Sequence, residues 1–294
     1  MLLARYRKIN SITGPNYCKT MKIFASLRFA LLLAPVCLLC QDAIAQTAAA
    51  PRVRVKRPPP LEQELSGGFG LTTTGWKAFL DYGKIKSDEG NLTDQFHDLR
   101  LFQLEFGEVK HPKETRVNSV QGNNASGGKA KSYIFGKINN FYTVNLSYGH
   151  RKMIAGKPEP KTVSIHWVYA GGLSLGLLKP YYLDGYVPQD QMTGSQLVRK
   201  EFKYEDNPTN FLNNDYILGG TSFTKGFGEM KFIPGLHAKT ALHFDFSNSK
   251  HLLMAIETGV SAAVYTQKIE LMANQKAFPY TLNLYASFQI GKRW

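Results

Sequence analysis

The closing stretch, Tyr280 to Trp294, constrains the fold more than any other part of the chain. Its even positions read Tyr280, Leu282, Leu284, Ala286, Phe288 and Ile290; its odd positions read Thr281, Asn283, Tyr285, Ser287, Gln289 and Gly291. A strict period of two places every apolar side chain on one face and the polar ones on the other, the signature of a β-strand between two different environments. The run also has the length of a tilted strand crossing a bilayer, roughly 9–11 residues.

Past Ile290 the chain stops at Trp294, an aromatic residue of the same parity as the apolar face. With Phe288, Ile290 and Trp294 so placed, the stretch resembles the terminal strand of outer-membrane β-barrel proteins of Gram-negative bacteria. The assembly machinery of that family reads a closing strand with a terminal Phe or Trp. The likeness is one of pattern over most of the mature chain and singles out no subfamily of known activity. It implies an outer-membrane location, with outer-membrane lipid and the barrel-assembly machinery as partners.

Composition agrees with a strand-built membrane protein. Charged residues make up 20% of the chain and mean hydropathy is −0.25. No run of 18 or more uncharged apolar residues occurs beyond the amino terminus, which excludes a helical membrane protein but not a barrel, whose alternation dilutes its hydropathy.

The amino terminus reads as a secretory signal over residues 21–45. Met21-Lys22 opens a basic region ending at Arg28, Phe29 to Cys40 is the apolar core, and Ala43-Ile44-Ala45 is a small-x-small cleavage site. Residues 1–20 then read as an extension upstream of the true start at Met21. Leu39 stands where a lipid-modified Cys40 would require a small residue. Cys18, Cys37 and Cys40 all precede the cleavage point, so the mature chain is expected to hold neither disulfides nor thiolate metal sites. Residues 1–45 carry six basic groups and one acid, so cleavage leaves 30 basic and 21 acidic groups and lowers the net charge from +14 to +9. That balance suits anionic head groups or solutes. Nucleic acid is not expected as a partner of an exported chain with no recognisable binding module. Residues 46–62, with Arg52-Val-Arg-Val-Lys-Arg57 before Pro58-Pro59-Pro60, form a basic, Pro-rich periplasmic linker, read as a solvated tail or as a tether to anionic lipid or cell wall.

From residue 63 to 294 the signals are those of an all-β, antiparallel transmembrane barrel. Alternating segments fall at 67–73, 76–84, 100–109, 132–137, 141–150, 163–169, 172–182, 216–223, 238–246, 252–265 and 280–294. Turns are expected at Thr74-Gly75, Asn139-Asn140 and Gly171-Gly172. Single-chain bacterial barrels have even strand numbers, so the eleven segments imply 10 or 12 strands. The lipid-facing positions are expected to include Trp76, Tyr82, Phe102, Phe106, Tyr142, Tyr148, Leu284 and Phe288. Their partner face, rich in Gly, Ser, Thr, Asn and charge, would make a poor dry core for a soluble barrel.

Catalytic motifs fail on inspection. Gly172-Leu173-Ser174-Leu175-Gly176 matches a nucleophile elbow in letters, but Leu173, Leu175 and Leu177 alternate through it and Lys179-Pro180 stands where a helix would have to begin. Ser174 therefore reads as a small inward residue. None of the seven histidines (His97, His111, His150, His166, His237, His243, His251) precedes a serine by two, the pairing used by known outer-membrane lipid hydrolases. No catalytic, metal or cofactor site is expected.

The inward parity does gather charge: Lys77, Asp81, Glu105, Lys239, His243, Asp245 and Glu257. They could pair and fill the interior, line a narrow pore or form an acid–base or metal site; their mixed sign favours pairing. The polar segment 184–215 could fold into the mouth and contact small solutes or a protein. The expectation is an outer-membrane barrel with a charge-paired lumen, structural or narrow-pore in role. A lipid-modifying hydrolase and an accessory subunit of a secretion or assembly complex are the alternatives.

Overall fold

A computed structural model describes residues 61–85, 98–119, 131–156, 162–188 and 197–294. The signal sequence, all three cysteines, His97 and linker residues 46–60 lie outside them. In chain order the strands are β1 (Gln63–Thr72), β2 (Gly75–Ile85), β3 (Asp98–Val109), β4 (Arg116–Asn118), β5 (Ser132–Ile134), β6 (Asn139–Ala155) and β7 (Ser164–Pro180). They continue as β8 (Tyr182–Pro188), β9 (Leu197–Lys203), β10 (Ile217–Gly220), β11 (Lys231–Asp245), β12 (Leu252–Ile269) and β13 (Phe278–Arg293). One helical turn, α1 (Pro208–Phe211), precedes β10 and is capped by the Asn207 side chain.

Eight strands close into a barrel in the order β1-β13-β12-β11-β7-β6-β3-β2, with every neighbouring pair antiparallel. Closure leaves the barrel itself without an unpaired edge strand, which the interior of a bilayer demands of any β-structure. The termini of the barrel meet at one end, where Trp294 and Gln63 exchange backbone hydrogen bonds. At the other end β3 leads through β4 and β5 into β6, and β7 leads through β8–β10 into β11. These insertions form a two-stranded β4-β5 ribbon and a three-stranded sheet, β10-β8-β9, that cap the rim. The cap has its own apolar core of Tyr133, Leu183, Phe202, Phe211 and Ile217.

The strand count corrects the expectation of 10 or 12. Segment 132–137 contributes only β5, and 216–223 only β10; both belong to the cap. Segments 163–169 and 172–182 are a single strand, β7, which runs straight through Gly171-Gly172. Neither glycine forms a turn, and Gly172 marks a close backbone approach: a Cβ there would lie 2.0 Å from the Leu146 carbonyl oxygen on β6. The segment 184–215 is likewise not one loop, since β8, β9 and α1 are built from it.

The apolar face points outward all round. Leu284 is 61% exposed while its neighbour Tyr285 is 4% exposed, and Phe69, Leu80, Phe102, Leu146, Leu173 and Leu236 share the outer wall. Tyr142 also faces outward but is covered, stacked near Phe106 and met edge-on by Phe223 of the cap. An exposed apolar belt around a polar interior inverts the arrangement of a soluble barrel and matches that of a membrane-spanning one. Strands of 15 to 18 residues, as in β6, β7 and β11–β13, exceed the crossing length and project past one interface.

Candidate functional site

The polar parity of the strands meets inside the barrel, and its charges organise into layers. Nearest the termini, Arg151 donates to Glu64 at 2.6 Å, and Arg293 donates to Glu64 and to Asp245, each at 2.7 Å. Asp245 also accepts from the backbone and hydroxyl of Ser247. In the next layer Glu257 accepts from Lys239 at 2.9 Å and from the Tyr285 hydroxyl at 2.8 Å, with His243 Nδ1 3.6 Å away. Towards the cap, Lys77 donates to Glu105 at 2.8 Å, and Asn145 donates to the other oxygen of the same carboxylate at 2.9 Å. The Lys77 ammonium also sits 3.4 Å from the Tyr285 ring centroid, which joins the last two layers.

Apolar clusters stand beside these layers. Leu61, Ile85 and Leu99 fill the terminal end, and Phe141, Leu178, Ile233 and Tyr265 fill the cap end. Beside Lys77 and Glu105 a cavity of about 30 Å³ is left, lined also by His237 and Tyr265. That is room for about one water molecule.

All seven inward charges named from the sequence lie buried in the lumen. Lys77 is brought to Glu105, and Lys239 and His243 to Glu257. Asp81 is buried beside the Lys239–Glu257 layer, with Gln103 of β3 as its polar neighbour. His243 and Asp245 do not form a metal pair: Asp245 turns to Arg293, and His243 packs against His166 with ring centroids 5.7 Å apart. No group of three His, Cys, Asp or Glu among the described residues is arranged to hold a metal ion. Ser174 points inward, donates to Asn145 and lies 3.0 Å from the Tyr265 hydroxyl. Phe288, Ile290 and Trp294 all lie exposed on the outer wall of β13 or just beyond it.

Sequence reasoning missed Glu64, Arg151, His166 and Arg293. Each shares the inward parity of its strand, but Glu64, Arg151 and Arg293 stand beyond the last obvious apolar residue, where alternation alone marks no end. Extending the parity of Asn145, Ser147 and Gly149 by one more step reaches Arg151.

The cap carries a second charged cluster. Lys203 bridges Glu229 at 2.7 Å and Glu205 at 3.3 Å, and Lys231 bridges Glu205 at 3.1 Å. The hydrogen bond from Lys203 holds the Glu229 carboxyl below its ordinary range, and that from Lys231 does the same for Glu205. Burial, reinforced by a hydrogen bond to Glu229, pushes the Tyr182 hydroxyl up to about 12.

The fold and its interior define a membrane-type β-barrel with a filled core and a folded cap. No family model matches the sequence, and neither does any curated protein. Among solved structures the chain is similar to Neisserial surface protein A, at 7% identity over 80% of this chain and 98% of that one, with a TM-score of 0.35. It is similar also to the N-terminal β-barrel domain of Pseudomonas aeruginosa OprF, at 8% identity over 80% and 98%, with a TM-score of 0.29. A third is Ail, the attachment invasion locus protein of Yersinia pestis, at 9% identity over 80% and 100%, with a TM-score of 0.33.

Proposed function

We propose that the protein is an integral outer-membrane β-barrel that serves as a rigid stem for the cap at its rim, rather than as a diffusion pore or an enzyme. The observation that carries this reading is the interior. Ion conduction needs a continuous polar path with sites that release what they bind. Here Lys77–Glu105 and Lys239–Glu257 pair inside the lumen between neighbouring strands, the Glu64–Arg151–Arg293–Asp245 group joins four strands, and the space beside the first pair holds about 30 Å³. The outward apolar wall, even strand number and adjoining termini support the membrane placement. The internal engagement of Ser174 weighs against a lipid hydrolase built on it.

The test combines electrophoresis with single-channel recording. Refolded protein should run as a heat-shifted band, migrating differently before and after boiling, and should insert into a planar bilayer without conductance. Discrete conductance steps from the wild type would overturn the stem reading. A band that neither shifts nor inserts would overturn the membrane reading as well.

A further inference from the structure

The rim holds a cavity that the filled lumen does not explain. It lies where the outward faces of β3, β6 and β7 end and the cap folds over them, has a volume of about 600 Å³, and is lined by Tyr142, Lys179, Arg116, Lys137, Thr221 and Phe223 among others. Volumes of this order suit a small-molecule or head-group ligand. Five of its lining residues are basic (Lys110, Arg116, Lys137, Lys179, Lys225) and two are acidic (Glu108, Glu114). Three of the cations already have carboxylate partners: Lys137 with Glu114, Lys110 with Glu108 and Lys225 with Glu201.

Lys179 has none among the described residues. Its residue is 2% exposed, its ammonium donates to the Phe223 carbonyl, and it stands 4.4 and 4.5 Å from the ring centroids of Phe223 and Phe227. A buried ammonium held only by a carbonyl and two ring faces lacks the counter-charge that buried ions ordinarily have. Arg116, exposed at the same cavity, is a second cation with no carboxylate partner among the described residues.

What lies beneath the cavity identifies the ligand. Directly below Glu108 and Tyr142 on the outer wall come Phe106, Val144 and Leu175, paired across β3, β6 and β7 and facing away from the lumen. Phe223 exposes 65% of its surface beside the cavity. A cationic, hydroxyl-lined cavity standing on an apolar wall has the polarity of a membrane lipid: charge above, hydrocarbon below. We propose that this rim cavity binds the anionic, phosphate-bearing head group of a membrane lipid, with Lys179 and Arg116 as its counter-charges and the acyl chains lying along Phe106, Val144 and Leu175. The inference rests on the membrane reading above.

The test is native mass spectrometry of full-length protein released from nanodiscs of phosphatidylcholine containing a minor fraction of lipid A, whose head group is a phosphorylated disaccharide. Wild-type protein should retain lipid A in preference to phosphatidylcholine. Lys179→Gln should lower that retention at least tenfold, Arg116→Gln several-fold, and Lys231→Gln, whose exposed side chain lies outside the cavity, should leave it unchanged. Should Lys179→Gln fail to fold, Arg116→Gln decides, because that side chain is exposed and makes no ion pair among the described residues. Equal retention by wild type and Arg116→Gln, or no preference by the wild type, would overturn the proposal. So would binding of inorganic phosphate without any lipid preference, which would reassign the cavity to a soluble anion. A chain that never enters the nanodisc would instead count against the membrane reading.

Discussion

Glu64 and Arg293 face each other in the register that joins the first barrel strand to the last, and their side chains meet inside the barrel at 2.7 Å. Arg293 reaches on to Asp245 of β11, and Glu64 takes Arg151 of β6. Two acids and two guanidinium groups thus tie four strands together around the seam where the two ends of the barrel sequence close. Charge-assisted bonds of this kind are directional as well as strong, so they fix the closing register and not only its stability.

Removing one member should therefore cost far more than a surface ion pair. Arg293→Met leaves Glu64 with one guanidinium and takes from Asp245 its bridging cation, and breaking a buried pair in this way costs roughly 3–5 kcal/mol. Reversible urea unfolding of the protein in lipid vesicles should show the loss. Replacing Glu64 and Arg293 together by Gln and Met should recover part of it. A loss below about 1 kcal/mol for the single variant would mean that the backbone ladder alone holds the seam.

The orientation of the wall is tested at Leu284, which faces Val260 of β12 on the outside of the barrel. Leu284→Lys should destabilise the barrel by roughly 2–4 kcal/mol if the position lies near the bilayer midplane. Leu146→Lys should behave alike. Tolerance of lysine at both positions in vesicle-embedded protein would place that face away from lipid.

The lumen should stay closed when one layer is removed. Lys77→Ala with Glu105→Ala deletes both partners of one pair, which strands no charge and is milder than deleting one. The Lys239–Glu257–Tyr285 layer and the apolar group around Leu61, Ile85 and Leu99 remain. Planar-bilayer recordings of that double variant are expected to be silent. Conductance from it would show that the layer at Lys77 is the barrier and that the deeper ones leak.

Acid should loosen the cap before the barrel. Glu205 and Glu229 both titrate below their ordinary value of 4.5 in the folded cap, held there by Lys231 and Lys203. A depressed carboxylate contributes stability in full above its unfolded value and loses it as pH falls through the folded one. Between pH 7 and pH 5 the cap should be unchanged. Below about pH 4.5 cleavage by an acid-active protease within residues 197–230 should rise while the heat-shifted band persists. Cleavage that rises equally at pH 6 would contradict the assignment to these two carboxylates.

The wall was legible in the sequence because alternation reports a difference between two environments, and this barrel has both. Leu284 and Tyr285, or Leu80 and Asp81, could be sorted without any structure. The inward charges could be collected by parity but not paired, since pairing depends on register across the barrel, and Lys77 meets Glu105 diagonally across two neighbouring strands. The cap reads as extra barrel strands because β5 and β10 supply short apolar runs of their own, and only their length sets them apart from barrel strands. The rim cavity is invisible in the sequence: Lys179 continues the outward parity of Leu173, Leu175 and Leu177, and only the fold of Phe223 and Phe227 over it makes it buried.

The error at Gly171-Gly172 can be turned into an experiment on the strand itself. Adjacent glycines between apolar runs signal a turn, yet both pair with β6 on one side and β11 on the other in an unbroken ladder. In that ladder the two are not equivalent. The nearest atom to a Cβ on Gly171 is the His237 carbonyl oxygen at 3.5 Å, an ordinary contact, whereas on Gly172 the Leu146 carbonyl oxygen lies at 2.0 Å. Gly171→Ala should therefore fold with wild-type stability, and Gly172→Ala should cost several kcal/mol because backbone, unlike a flexible side chain, cannot move aside within a paired sheet. Urea unfolding of the two variants side by side gives the answer. Equal tolerance at both positions would return the pair to a turn and reopen the count of barrel strands.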